Sequence, residues 1–480
     1  MKKKFFSNLL LLVSLNLLVK PFWIFGIDRS VQNVVGAEEY GFYFSLFSFS
    51  MLLNILLDAG TSNYNNRVIA REPERLSEYF SQLFLIRLLL AVVYGVVTFA
   101  VAWLIGYAGR QMYLLVFLVL NQFLASMILF FRSNITGLHL FRADSLLSVA
   151  DRTLMILFTA VVLWGHLFGE HFRIEWFVYI QTLSYLIVAG VGFMMVLRRC
   201  ERFRPRFRKD LFIRILKESF PFAVLTLLMS LYYRVDSVML ERMLPGARQA
   251  GIYAQAFRIL DAFAMFAYLF AVILLPIFSR MIKEGKPVVE LVRFAFLLLM
   301  VPVLTVSVGV GVFREPVMDW LYVSHQQGSA SVLLLLMGAL VFVSSGYIFG
   351  TLLTARGDIR LLSRLSALGF AMNILLNLLL IPKYQAVGAA WASFVTQAVI
   401  GIGQVWLVTR KLAVPLGEMI PSRMGMFAGV ALLSGLILRR SGMDLFLGFP
   451  LLTGGLLLFA VFIGLLPLRQ MREILLTEEG

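Results

Sequence analysis

Stretches of about twenty predominantly apolar residues recur along this chain from end to end, each long enough to cross roughly 30 Å of hydrocarbon as a helix. A membrane β-barrel would show short alternating strands instead. The runs predict spans at 6 to 27, 40 to 59, 79 to 105, 112 to 134, 146 to 166, 176 to 197, 219 to 243, 251 to 277, 290 to 312, 330 to 353, 361 to 381, 386 to 409, 422 to 438 and 446 to 467, with ends soft by about four residues. The fold class is therefore an all-α integral membrane protein of about fourteen transmembrane helices. Composition agrees, because 60% of residues are hydrophobic and 15% charged, against about a quarter charged in a soluble domain.

The basic residues orient the helices. Thirty of the 43 Lys and Arg residues fall on the N-terminus and the even-numbered connections, and nine on the odd-numbered ones. That asymmetry predicts a multi-pass protein of the bacterial inner membrane with both termini cytoplasmic. Lys2, Lys3 and Lys4 open the chain like a signal peptide. The run behind them continues past Leu18 to Ile27 without a small-residue cleavage site, so it is expected to stay as the first span. A formal charge of +16 spread between apolar runs points to anionic lipid headgroups and not to nucleic acid.

No connection exceeds about 25 residues, which leaves no room for an extramembrane catalytic domain. A Walker-type phosphate loop, a nucleophile elbow and a zinc motif are all missing. His139, His166, His171 and His325 are scattered without metal spacing, and Cys200 is the single cysteine, expected as a free surface thiol. The chain is expected to be no enzyme and to carry no cofactor.

An internal repeat crosses the basic connection from Arg198 to Asp210. Ile27, Asp28 and Gly41-Phe42-Tyr43 correspond to Val235, Asp236 and Gly251-Ile252-Tyr253 at an offset of about 210 residues. The segments FRADSLLS from Phe141 and ARGDIRLLS from Ala355 match at about 214. Six helices per repeat is an even number, so both halves enter from one side and form a parallel repeat. The expected division is 1–200 for helices one to six, 201–412 for helices seven to twelve, and 413–480 for a C-terminal pair outside the repeat.

With residues toward the soft span ends assigned to the connections, four basic residues are left inside spans: Lys20, Arg87, Arg234 and Arg258. A cation at mid-membrane costs roughly 2.5 to 3.5 kcal/mol on insertion scales and normally faces a bundle interior or a watery cavity. In span one, Asn16 and Lys20 share a face, Pro21 follows, and Asp28 and Arg29 close the outer end. Span seven sets Arg234 beside Tyr232, Tyr233 and Asp236. Gln255, Arg258 and Asp261 step by three along span eight. Two readings stand for these groups: cations lining a cavity for a phosphate or pyrophosphate ester, which suits the planar guanidinium fork, or internal ion pairs such as Arg258 with Asp261. Lys20 is also long enough to snorkel, and Arg87, near the cytoplasmic end of span three, is expected to do so. Asp28, Asp58, Asp236 and Asp261 are candidates for coupling transport to Na+ or H+, or else they only balance charge. Asn54 with Asp58 and Asn373 with Asn377 are polar pairs of the kind that glue helices.

Five segments carry a family resemblance: GAEEYGFYFSLFSF from Gly36, LLDAGTSNYNNRVIARE from Leu56, YYRVDSVML from Tyr232, AGIYAQAFRILD from Ala250 and NLLLIPKYQAVGAAWAS from Asn377. In order and spacing the chain resembles the polysaccharide-transporter branch of the multidrug/oligosaccharidyl-lipid/polysaccharide exporter (MOP) superfamily, the O-antigen and lipid-linked oligosaccharide flippases. The resemblance implies a MATE-like fold of two pseudosymmetric six-helix lobes plus two C-terminal helices. It implies alternating access, in which the sugar and pyrophosphate head of a polyprenyl-linked glycan crosses a central cationic cavity. Lys20, Arg29, Arg234 and Arg258 would be the cavity cations, with Tyr233 and Gln255 beside them. A functional monomer is expected, working alongside a polysaccharide polymerase and other biosynthesis proteins. A lipid II flippase wants the same anionic head, whereas a drug/cation antiporter would prefer acidic groups. A membrane glycosyltransferase or polymerase would need catalytic residues on a long outer loop, which the short connections disfavour.

Overall fold

The computed structural model describes residues 14–58, 60–165, 172–204, 208–323, 328–412 and 415–466. Lys2 to Lys4, His166, His171 and His325 lie outside them. Every regular element among the described residues is helical, as a chain without water to satisfy its backbone requires.

Among the described residues, eleven helices are long and apolar enough to cross a bilayer. One of them, Ile359–Leu412, has 54 residues and would extend about 80 Å if straight, far beyond one crossing. It is broken at Gln385 (φ 52°, ψ −130°). A Cβ on Gly388 would meet the Leu380 carbonyl, so the chain folds back there and supplies spans eleven and twelve. At the other end, Arg29–Leu52 is broken at Gly36 (φ 79°, ψ 171°), which separates span one from span two. The result is an all-α membrane protein with two pseudosymmetric six-helix lobes and a C-terminal helix pair.

Span one is not a plain α-helix. Residues 14–22 are helical and Trp23–Asp28 is π-helical, a wide turn just after Pro21, where the missing N–H already disturbs the ladder. The connection after span two holds the helix Thr61–Arg71. It starts at Gly60 (φ 80°) and lies against span four (Arg110–Gly137), where Asn65 donates to Ser133 Oγ at 2.9 Å.

Backbone contacts divide the chain into two compact units, residues 1–254 and 255–480, whereas the repeat sets the lobe division at 200/201. Span seven (Lys209–Met243) packs along Arg29–Leu52, which draws it into the first unit. The close approach has a residue-level cause. A Cβ on Gly41 would collide with the Ala247 carbonyl and the Gly251 backbone, and one on Gly251 with the Ala37 carbonyl. These glycines are the two equivalents of the repeat, so the repeated turns meet backbone to backbone. Glu38 Oε1 accepts from Ala247 N at 2.7 Å across the same junction.

The second repeated motif also has a structural counterpart. Asp144, at the start of span five (Phe141–Trp164), accepts from Arg132 Nε at 2.7 Å. Its equivalent Asp358, just before span eleven, accepts from Arg356 Nε at 3.2 Å. In the second unit the C-terminal helices Ser422–Arg440 and Leu445–Phe462 both pack on span nine (Val289–Val312). Gly435 seats against Val308 and Val312, and Gly309 against Phe449.

Candidate functional site

In the first unit a polar cluster forms where spans one and five face each other. Asn16 Nδ2 donates to Ser148 Oγ at 3.0 Å. One turn further along each helix, Lys20 lies within the electrostatic reach of Asp151, Arg152 and Arg132. Arg132 is closed off by its two hydrogen bonds to Asp144, at 2.7 and 3.2 Å. Arg152 Nε stands 3.9 Å from Asp151 Oδ2, and its guanidinium carbon lies 5.5 Å from the Trp23 ring and 5.8 Å from the Tyr185 ring. Trp23 is held in turn by stacking on Phe177 at 5.6 Å.

Arg152 is the residue the span count missed. The soft end of span five let it be counted with the cytoplasmic connection, yet it lies eleven residues beyond the helix start at Phe141, about 16 Å along the axis. The adjacent pair Asp151-Arg152 inside an apolar run was the available signal. Among the described residues the cluster gathers the cations Lys20, Arg132 and Arg152 around the carboxylates Asp144 and Asp151, more positive than negative charge. Such an excess in a low-dielectric interior attracts an anion strongly.

Arg87 corrects an expectation. It does not snorkel: its side chain is 1% exposed. Nη2 pairs with Asp58 and donates to Ser62 Oγ at 2.7 Å, and Nη1 donates to Ser126 O and Oγ, both at 2.9 Å. Phe130 covers the guanidinium at 4.8 Å. Asp58 also accepts from Thr61 Oγ1 and Ser62 N, so this ion-coupling candidate sits in a closed network, with the helix Thr61–Arg71 started upon it.

Asp28 and Asp236, equivalent in the repeat, are both fully buried, and each accepts from tyrosine. Tyr40 OH reaches the two Asp28 oxygens at 2.9 and 2.8 Å, and Gln32 Nε2 adds a third bond at 3.1 Å. Tyr253 OH donates to Asp236 Oδ2 at 2.8 Å. Arg29 is partly exposed one residue beyond Asp28. Arg234 is half-buried and lies 5.4 Å from the Tyr233 ring.

In the second unit Arg258 is 9% exposed, and its Nη1 is 4.0 Å from Asp261 Oδ2. That is a loose ion pair on one helix face. Gln255 is also buried; its backbone carbonyl accepts from Tyr322 OH at 3.1 Å, while its side-chain Oε1 finds no donor among the described residues. Asn373 and Asn377 are fully buried and bond to each other at 3.0 Å. Among the described residues no group of three His, Cys, Asp or Glu is placed to hold a metal. Cys200 is partly buried and not a surface thiol; burial pushes its thiol pKa up.

Many apolar crossings and an internal repeat define a multi-pass α-helical membrane protein of MATE-like architecture. The chain belongs to the family described as "Polysaccharide biosynthesis protein", whose model matches residues 8–282. Its fold matches that of a solved structure of "Lipid II flippase MurJ, inward closed conformation" with a TM-score of 0.65 at 15% identity, over 96% of this chain and 97% of that one. An inward-facing multidrug MATE transporter of the MOP superfamily matches with a TM-score of 0.60 at 16% identity, over 83% and 96%. Two proteins of Methanocaldococcus jannaschii are similar in sequence. "Uncharacterized membrane protein MJ1375" is 22% identical over 78% of this chain and 91% of its own length. "Uncharacterized membrane protein MJ1068" is 22% identical over 60% of this chain, and the match spans only 58% of that relative.

Proposed function

We propose that the protein is a flippase that carries a polyprenyl-pyrophosphate-linked oligosaccharide, an O-antigen or exopolysaccharide repeat unit, across the bacterial inner membrane by alternating access. The observation that carries this reading is the set of cations inside the apolar helices. Lys20 and Arg152 lie around Asp151 in the first unit, Arg234 lies beside Tyr233, and Arg258 stands 4.0 Å from Asp261. A pyrophosphate is an anion that such cations attract, and guanidinium forks suit its oxygens. Trp23 and Tyr185 flank Arg152 with rings of the kind that pack against the apolar faces of sugars. In this reading both termini are cytoplasmic, which the excess of basic residues on the even-numbered connections supports. The glycan-lipid and anionic lipids are the partners, a polysaccharide polymerase works beside it, and the working form is a monomer. Na+ or H+ is the proposed driver, with Asp28, Asp236 and Asp261 as coupling groups and no resident cofactor.

Lipid II is a second substrate reading, favoured by the shared architecture with a lipid II flippase and by the same head chemistry. The deciding experiment follows lipid-linked glycan in a deletion strain. Accumulation on the cytoplasmic leaflet is expected, and drug sensitivity without accumulation would favour an antiporter. Arg234→Ala and Arg258→Ala are each expected to cut transport at least about tenfold, equivalent to roughly 1.4 kcal/mol, at unchanged membrane abundance. Full transport in both variants would remove those residues from the site.

A further inference from the structure

Three helix ends of the second unit enclose another cationic recess. Span nine begins at Val289, span thirteen begins at Ser422, and span fourteen ends at Phe462 before a turn through Gly464 (φ 70°). Between them lies a cavity of about 300 Å³ lined by Arg293, Leu297, Gly417, Pro421, Arg423 and Gly464. Arg423 Nη1 donates to Ile463 O at 3.0 Å. Among the described residues neither arginine makes an ion pair, and Arg293 makes no hydrogen bond at all. Two guanidinium groups thus face one recess with no carboxylate to neutralise them. The helix from Ser422 also lacks a side-chain cap, so its first N–H groups add positive potential at the same place.

We propose that this recess binds the phosphate of an anionic phospholipid headgroup, with Arg293 and Arg423 on the phosphate oxygens. The place favours a lipid over free phosphate. The recess opens where membrane-crossing helices begin and end, Leu297 gives it an apolar wall, and Phe462, 87% exposed, offers an acyl chain a surface beside it. The charge selects the headgroup. Two guanidinium groups match the two phosphodiesters of cardiolipin and favour the net negative headgroup of phosphatidylglycerol, whereas the ammonium of phosphatidylethanolamine is repelled. The inference does not depend on what the protein transports.

Native mass spectrometry of the full-length protein, exchanged into equimolar phosphatidylglycerol and phosphatidylethanolamine, tests it. Retained phosphatidylglycerol is expected to exceed phosphatidylethanolamine about tenfold, and Arg293→Gln with Arg423→Gln to erase the preference, as loss of charge-assisted bonds implies. Arg293→Lys keeps the charge and is expected to keep most of the preference, which separates lost binding from lost folding. Equal retention of the two lipids by the wild type, or an unchanged preference in the double variant, overturns the proposal. In a second arm inorganic phosphate is titrated against the lipid-stripped protein. Binding as tight as that of phosphatidylglycerol, lost in the same variants, would make the recess a free-phosphate site and overturn the lipid assignment.

Discussion

Arg87 and Arg152 are both cations inside apolar helices of the first unit, and their surroundings differ in every respect that matters. Arg87 is sealed: a carboxylate, two hydroxyls and a carbonyl occupy its terminal nitrogens, and its side chain is 1% exposed. Arg152 is 28% exposed, stands 3.9 Å from a carboxylate it shares with Lys20, and is flanked by two aromatic rings. Charge buried with its terminal nitrogens occupied holds helices together. Charge that is partly exposed among aromatic rings can also meet a ligand.

The sharpest way to break this contrast is to remove the sealed partner. Arg87→Ala empties a fully buried site and leaves Asp58, 30% exposed, without its cation; it is expected to lose about 3 kcal/mol, read as a lower melting temperature in detergent and reduced membrane abundance. Replacing both members, Arg87→Met with Asp58→Leu, is expected to recover much of that loss, because no orphaned charge remains. Arg152→Ala is expected to behave oppositely, cutting transport about tenfold or more with a melting temperature close to wild type, since its loosest link, 3.9 Å to Asp151, carries little stability. If Arg152→Ala instead unfolds the protein while transport per folded molecule is unchanged, the contrast fails. Trp23→Leu probes the aromatic side of Arg152: apparent substrate affinity is expected to fall about threefold, the scale of one cation–π contact of 0.5–1 kcal/mol.

The smallest effect is expected at a third arginine. Arg110 donates to both Glu39 oxygens, at 2.8 and 2.6 Å, and to Glu175 at 2.8 Å, where it is about half exposed. The Arg110 hydrogen bonds hold the Glu39 carboxyl below its ordinary range. Its contribution is therefore present at neutral pH, above the unfolded value of about 4.3, and is lost as acidification passes the lowered folded value. Solvent screening limits it to roughly 0.2–1 kcal/mol. The melting difference between wild type and Arg110→Gln is expected to be slight at pH 7 and to vanish in strong acid. A difference that grows on acidification would reverse the assignment.

The spans were legible in the sequence because burial in lipid demands long apolar runs that little else produces. The repeat was legible because Gly41 and Gly251, with their flanking aspartates and tyrosines, answer to backbone requirements that tolerate little change. Arg152 was lost because a charge near a soft span end looks like part of the next connection, and only the helix start at Phe141 fixes its depth. Arg87 was misjudged for a related reason: counting residues gives distance along a helix but not which neighbour faces it, and Ser126 and Asp58 come from other helices. The helix Thr61–Arg71 is short and mostly polar, so it does not read as a span, and its place is set by contacts with span four. Lys20, Asp28, Arg234, Asp236, Arg258 and Asp261 were visible as types, and their partners were visible only in three dimensions.

The junction of Gly41 with Gly251 also sets a rule for how descendants of this duplicated sequence diverge. A methyl group on either glycine strikes the main chain of the opposite copy, not a side chain. No second replacement on the other copy can therefore make room for it, since main-chain atoms are common to all residues. The two sites are bound to a single fate and stay glycine together, whereas the next position already differs between the copies, Phe42 in one and Ile252 in the other.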